Sequence, residues 1–362
     1  MTRPGEFDFL VACCRSAIAR ANDYDVAALA QRVDWSVFHE LVRRHRVERL
    51  VSTALSRNEI PVPDPLRREI ERDARQVAER NLRFAQESHR LLNAFGGAGV
   101  RVIFVKGLTL SALAYGDPYL KTGCDIDILV EPALVNAAAQ LLTSCGYEPV
   151  VPAVDAKSRA VVDWHRRRKE SVWCKRGTGQ YLDLHSALVD TPALIPEIGM
   201  KTPVQQVPIG NGRSLPTLQT SDLFAYLCVH GTWSAWFRLK WIADVSALLS
   251  RQGTTNIEPL YAHARTRGAG RAAAQALLLA RELFRVTLPE SLRREIEADR
   301  MNGLLKRLSM RELRQERAPT QRPLGTLGLH LLRPFLVPGW NSKFAEVSRQ
   351  LGDVAHRYIS DR

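Results

Sequence analysis

The segment Lys121-Thr122-Gly123-Cys124-Asp125-Ile126-Asp127-Ile128-Leu129-Val130 decides how this chain reads. In an extended run, aspartates two apart project from one face, while Ile126, Ile128 and Val130 point to the other. One face is then suited to a core, and the opposite face carries two carboxylates side by side. Like charges in that position repel each other. A divalent cation removes the repulsion, and Mg²⁺ favours carboxylate oxygens shared with phosphate oxygens. The triplet alone carries little information. Asp23-Tyr24-Asp25 repeats it and reads as a surface loop without chemistry. Context separates the two: the second triplet opens an apolar β-run and follows a strand, a Lys-Gly turn and a helix.

Working outward, Val102–Val105 is a short β-branched and aromatic run, and Leu108–Tyr115 has a helical pattern. Pro132–Cys145 reads as a helix stopped by Gly146. Tyr147–Val151, Ser171–Lys175 and Tyr181–Leu184 read as strands, with a basic helix over Ala156–Lys169 between them. This alternation predicts an α/β (α+β) unit with a small mixed sheet over residues 101–215. Residues 1–100 read as a helical N-terminal unit, in which Asp73–Phe95 repeats apolar residues at helical spacing and Gly96, Gly97 and Gly99 end the run. Residues 216–362 read as a helical C-terminal unit, with helices over Ser221–His230, Lys240–Leu249, Ile257–Arg267 and Arg271–Phe284. The last 70 or so residues are basic and also read as helical.

Composition narrows the class. Of the 362 residues, 45% are apolar and 25% charged, as in an ordinary globular protein. No window reaches the roughly 18 uninterrupted apolar residues of a spanning helix, and the N-terminus carries Glu6 and Asp8 where a signal peptide is basic. A cytoplasmic location is the expectation. The six cysteines show neither CxxC pairs nor zinc-ligand spacing, so a zinc site or disulfide framework is not expected. The net charge of +13 admits RNA as a partner, but the basic residues are spread along the chain rather than gathered at the aspartates.

VIFVKGLTL at 102–110, YGDP at 115–118, and Lys121 four residues before Asp125-Ile126-Asp127 together resemble the uncharacterised nucleotidyltransferase family of bacteria. That family belongs to the DNA-polymerase-β-like superfamily. The resemblance continues in Tyr181-Leu182-Asp183-Leu184-His185, and in His230-Gly231 followed by Arg238-Leu239-Lys240-Trp241 and Asp244, covering roughly residues 70–290. Two features depart from the superfamily. The site opens with Lys106-Gly107 rather than Gly-Ser, and Lys121 stands where members often carry arginine, which loses the bidentate fork for phosphate.

The resemblance implies Mg²⁺, with Mn²⁺ as an alternative ion, on Asp125, Asp127 and Asp183, and an NTP as substrate. Asp183 would meet the pair across the sheet and help the attacking oxygen. Lys106 and Gly107 would meet phosphate at a helix N-terminus, where backbone N–H groups point at an anion. Lys121, His185, His230, Arg238 and Lys240 join them as nucleotide-binding candidates. Spacing alone makes Lys240 and Asp244 a surface ion pair, and makes Trp233, Trp236 and Trp241 helix-packing residues. The expected reaction transfers an NMP group to an acceptor hydroxyl on a small molecule, a peptide or protein, or RNA, with RNA the less favoured. Phosphoryl transfer at the same site, or a nucleotide- or RNA-binding module without catalysis, are the rival readings.

Overall fold

The computed structural model describes residues 4–21, 24–154, 159–191, 193–323 and 333–336, together with 346 and 348. Five helices open the chain: α1 (Pro4–Ala19), α2 (Tyr24–Ala30), α3 (Trp35–His45), α4 (Glu48–Arg57) and the long α5 (Asp64–Gly97). Local chemistry starts two of them. The Asp34 carboxylate accepts the Ser36 and Val37 N–H groups at the head of α3, and Pro65 sits in the first turn of α5, where its missing N–H costs nothing.

The sheet follows. Its strands are β1 (Ile103–Phe104), β2 (Asp125–Leu129), β3 (Tyr147–Val151), β4 (Glu170–Lys175) and β5 (Gln180–His185), in the order β1-β2-β5-β4-β3. Only β2 and β5 are parallel; the other pairs are antiparallel. Helices α6 (Leu108–Tyr115), α7 (Val135–Ser144) and α8 (Ala160–His165) connect the strands. The mixed sheet of an α+β protein is thus present. Of the basic helix expected from Ala156, only Ala160–His165 is helical, and residues 155–158 lie outside the described residues. Gly96 and Gly97 are the last turn of α5 rather than its stop.

A second, two-stranded sheet was not expected: β6 (Val204–Gly210) and β7 (Arg213–Leu218) form an antiparallel hairpin. Pro208 and Pro216 hide it from a pattern reading, since proline within a run argues against a strand. The hairpin lies against β1 and α6, and the Tyr119 hydroxyl donates to the Ile209 carbonyl at 2.7 Å.

Helices α9 (Thr220–Trp233), α10 (Leu239–Gln252), α11 (Ile257–Thr266), α12 (Gly270–Phe284), α13 (Glu290–Ala298) and α14 (Arg300–Leu313) complete the described chain. Two apolar cores result. One packs α5 and α7 against Ile126, Ile128, Leu182 and Leu184 of the sheet. The other joins the N-terminal helices to α9–α12, with residues such as Phe9, Phe38, Phe224, Trp236 and Leu277 fully buried. Four of the six cysteines are buried and all six are free. Among the described residues no helix is long and apolar enough to cross a membrane. The expected Asp23–Asp25 loop is also revised. Tyr24 and Asp25 open α2, Asp25 pairs with Arg15 and Arg285, and Asp23 lies outside the described residues.

Candidate active site

The parallel pairing of β2 with β5 sets Asp127 beside Asp183, Asp125 beside Tyr181, and Leu129 beside His185. Strand alternation sends Ile126, Ile128, Leu182 and Leu184 to the core on one side. The aspartates and His185 are left together on the other face. Donor atoms of Asp127, Asp183 and His185 all lie within 4.8 Å of one another. Asp125 shares the face but stands outside that group, half-buried at the start of its strand.

Asp127 is the centre of the cluster. Its side chain is 1% exposed, and one oxygen, Oδ1, takes Lys106 Nζ at 2.8 Å and His185 Nε2 at 3.2 Å. Burial opposes ionisation here, but Lys106 and His185 outweigh it and hold the carboxyl well below the usual range. The other oxygen, Oδ2, is buried with no partner. Buried carboxylate oxygens are ordinarily satisfied, and this one has lone pairs available to a cation. Asp183 behaves oppositely. Burial, and then the charges of Asp127, Asp125 and Glu170, push its pKa up to about 8. Two crowded carboxylates, one holding its proton, together with an orphaned buried oxygen, fit a divalent ion held by Asp127 and Asp183, with Asp125 at the rim.

His185 is fully buried, and its second nitrogen, Nδ1, lies 3.3 Å from Glu170 Oε2. The ring therefore stands between two carboxylates. Burial works against the charge on Glu170, but His185, Lys169 and Lys106 outweigh it and keep its pKa below the ordinary value. Glu170 ion-pairs with Lys169. Helix α9 brings Tyr226 and His230 into the neighbourhood of Lys106. The Tyr226 hydroxyl is buried without a partner, and burial raises its pKa despite the Lys106 charge beside it. One turn on, His230 is held well below its usual pKa by burial and then by Lys106 and Lys169. Its ring meets Trp241 edge-on at 5.5 Å.

Lys106 and Gly107 adjoin the carboxylates, sharing a recess with Lys121, Asp125 and Asp127. Gly107, at the head of α6, has φ +73°, which a side chain would resist. The Lys106 ammonium is engaged by Asp127.

The remaining basic candidates gather around Cys124 and Asp125. Lys121 is buried, 3.5 Å from Asp244, whose other oxygen accepts the Tyr115 hydroxyl at 2.8 Å. The expected surface pair of Lys240 with Asp244 is thus replaced: Asp244 is interior, and Lys121 and Tyr115 are its partners. Lys240 is pushed down to about 8 by burial and then by the Lys121 charge. Arg238 stacks over Phe237 and Trp241, with its pKa lowered to about 10 by burial and then by Arg46.

A family model described as uncharacterised nucleotidyltransferase matches residues 31–285. The chain belongs to that family. The match begins before α3, well ahead of residue 70, so it takes in helices that the sequence motifs did not reach. A search among curated proteins found no match. Within this family member, sequence motifs missed Glu170, Tyr226 and Arg46. Two had a signal: Glu170 opposes His185 across the sheet, and Tyr226 lies four residues before His230 on one helical face. Arg46 had none, because it is 78 positions away from the Cys124 that it touches.

Proposed function

We propose that this protein is a metal-dependent nucleotidyltransferase that moves an NMP group from an NTP to an acceptor hydroxyl. The observation that carries the reading is the convergence of Asp127, Asp183 and His185 around an unsatisfied buried carboxylate oxygen, in a chain of this family. Asp127 and Asp183 would hold Mg²⁺, with Asp125 as the outer ligand. The bound ion would polarise the α-phosphate and neutralise charge on the departing pyrophosphate.

The chain's own groups do the rest. The acceptor oxygen attacks the α-phosphorus, the bond from that phosphorus to the α,β-bridging oxygen breaks, and pyrophosphate leaves with the electron pair. Asp183, on the open side of the sheet and ionised once a cation offsets its carboxylate neighbours, takes the acceptor's proton as the new P–O bond forms. His185 holds Asp127 through its Nε2 contact, with Nδ1 facing Glu170. Lys106 neutralises Asp127 before the ion arrives and then stands next to the transferred phosphoryl group. Tyr226 and His230, both neutral, stand near Lys106.

The test uses ATP labelled at either the α- or the γ-phosphate, Mg²⁺, and fractionated small molecules, proteins and RNA as acceptors. NMP transfer carries the α-label into product and releases pyrophosphate. Transfer of the γ-label instead would identify a phosphoryl transferase and overturn the reading.

A further inference from the structure

We propose that Arg46, Lys121, Arg238 and Lys240 form a polyphosphate-binding subsite, so that the N-terminal helices complete the nucleotide site. The identity of the ligand as a nucleotide rests on the reading above; the subsite itself does not.

The cations converge from three parts of the chain. Arg46 caps α3 and places Nη1 2.9 Å from the Cys124 thiol, immediately before Asp125. Lys121 borders the recess that also contains Asp125 and Asp127. Arg238 and Lys240 flank the first residue of α10. A thiol is a poor partner for a guanidinium. Among the described residues no carboxylate lies in ion-pair reach of Arg46, Arg238 or Lys240, and Arg238 Nε is buried with no partner at all. Only Lys121 is matched, by Asp244. Cations so close together, mostly unmatched and partly desolvated, repel one another unless an anion joins them. The lowered pKa values of Lys240 and Arg238 agree with this, since burial first and then the neighbouring cations outweigh the opposing charges of Asp125 and, for Arg238, Glu48.

The arrangement is built, not incidental. The end of α3 grips the segment that presents Arg238. Arg44 Nη1 donates to the Phe237 carbonyl at 2.8 Å, and His45 Nδ1 accepts the Leu239 N–H at 2.9 Å. Arg238 is therefore held from both sides by the residues that precede Arg46. Arg46 itself adopts φ 55° and ψ 52°, a left-handed conformation that costs a non-glycine residue free energy.

The ligand class follows from position and charge density. The cations border Asp125, so an anion they hold could share a cation with the carboxylates. Contiguous phosphates supply several charges in one short length, as a recessed cluster requires. A nucleic-acid backbone spreads its charges along an open surface instead.

Calorimetry with sodium tripolyphosphate, ATP, ADP and AMP tests this, using wild type, Arg46→Asn, Arg46→Lys, Lys240→Gln and Arg75→Gln. Asparagine tolerates the left-handed backbone, so Arg46→Asn keeps the fold, which its thermal melt checks. Affinity is expected to fall from ATP through ADP to AMP. Arg46→Asn and Lys240→Gln should each weaken ATP and tripolyphosphate by about 10- to 100-fold while leaving AMP nearly unchanged. Arg46→Lys should recover part of the loss, and Arg75→Gln, an exposed charge on α5, should change nothing. Unchanged tripolyphosphate and ATP affinity in both neutral variants overturns the subsite, even if NMP transfer is observed. Competition by single-stranded RNA with no binding of tripolyphosphate also overturns it. Tripolyphosphate binding that depends on Arg46, in a protein that transfers only the γ-label, keeps the subsite and removes the nucleotidyltransferase reading.

Discussion

Two regions of opposite charge meet at Cys124 and Asp125. On one side, Asp127, Asp183 and Glu170 crowd around the fully buried His185. On the other, Arg46, Arg238 and Lys240 crowd around a thiol, with only Lys121 paired to a carboxylate. Each region is unfavourable by itself, and in each the pKa shifts show which groups are strained. Asp183 is pushed up to about 8, and Lys240 down to about 8. The acidic side is neutralised in part, by Lys106 on Asp127 and Lys169 on Glu170. On the basic side, Asp125 and Glu48 lie near enough to favour the charge on Arg238, but among the described residues neither ion-pairs with Arg46, Arg238 or Lys240. A cation bound on one side and a polyphosphate on the other, as proposed, would relieve both.

The largest expected effect tests the acidic side. Asp127→Asn and Asp183→Asn should each lower NMP transfer roughly 10³-fold or more, measured as α-label incorporation. Their stabilities should diverge in metal-free protein. Asp127→Asn leaves the Lys106 ammonium without its buried counter-ion, so urea unfolding should show a loss of about 3 kcal/mol. Asp183→Asn relieves repulsion and should hold or gain stability. Equal stability effects in the two variants would break the asymmetry between these aspartates.

The next effect concerns how Arg238 is presented. A Cβ on Gly231 would lie 2.2 Å from the Trp236 ring, and that ring is fully buried, with Nε1 donating to Thr232 and Gln275. Gly231→Ala should therefore cost about 1–3 kcal/mol by denaturant unfolding. It should also weaken ATP binding more than metal binding, because the turn from Ala235 to Arg238 shifts.

A smaller effect concerns pH. The folded pKa of Lys240, about 8, lies below its unfolded value of about 10.4. Between those values the unfolded chain holds a proton that the folded chain has released. Stability from this group therefore rises with pH across that window. Unfolding free energy from urea titrations should rise in wild type by about 1 kcal/mol between roughly pH 7.5 and 9.5, with Lys240→Met lacking the rise. ATP affinity should move the other way, falling as Lys240 loses its charge.

The smallest effect concerns the net charge. Arg166 pairs with Asp163, Arg168 lies over Trp164, and Lys169 pairs with Glu170. Replacing Arg166, Arg167 and Arg168 with glutamine should leave the salt dependence of tRNA binding nearly unchanged. A log–log slope that flattens by about 0.7 for each removed phosphate contact would assign this run to RNA.

The acidic side was legible because strand periodicity fixes which residues share a face. From Asp125-Ile126-Asp127 and Tyr181-Leu182-Asp183-Leu184-His185 the face, the core side and the sheet follow from local pattern alone. Three things did not. The parallel register that sets Asp127 beside Asp183 is a long-range choice. The hairpin at Val204–Leu218 is masked by Pro208 and Pro216, each tolerated in a two-stranded sheet that has only edges. The basic side is assembled by tertiary packing, with Arg46 brought to Cys124 and His45 to Leu239 across 194 positions. Spacing suggested a pair between Lys240 and Asp244, yet the buried Tyr115 and Lys121 took Asp244 instead, because an interior carboxylate is drawn to the donors packed on it.

One measurement bears most directly on the account: mass analysis of acceptors after incubation with α-labelled ATP and Mg²⁺, with wild type beside Asp127→Asn. The account predicts a product heavier by one NMP, with pyrophosphate released in equal amount, and neither with the variant. An added phosphate, or an NMP product formed equally well by Asp127→Asn, would contradict it.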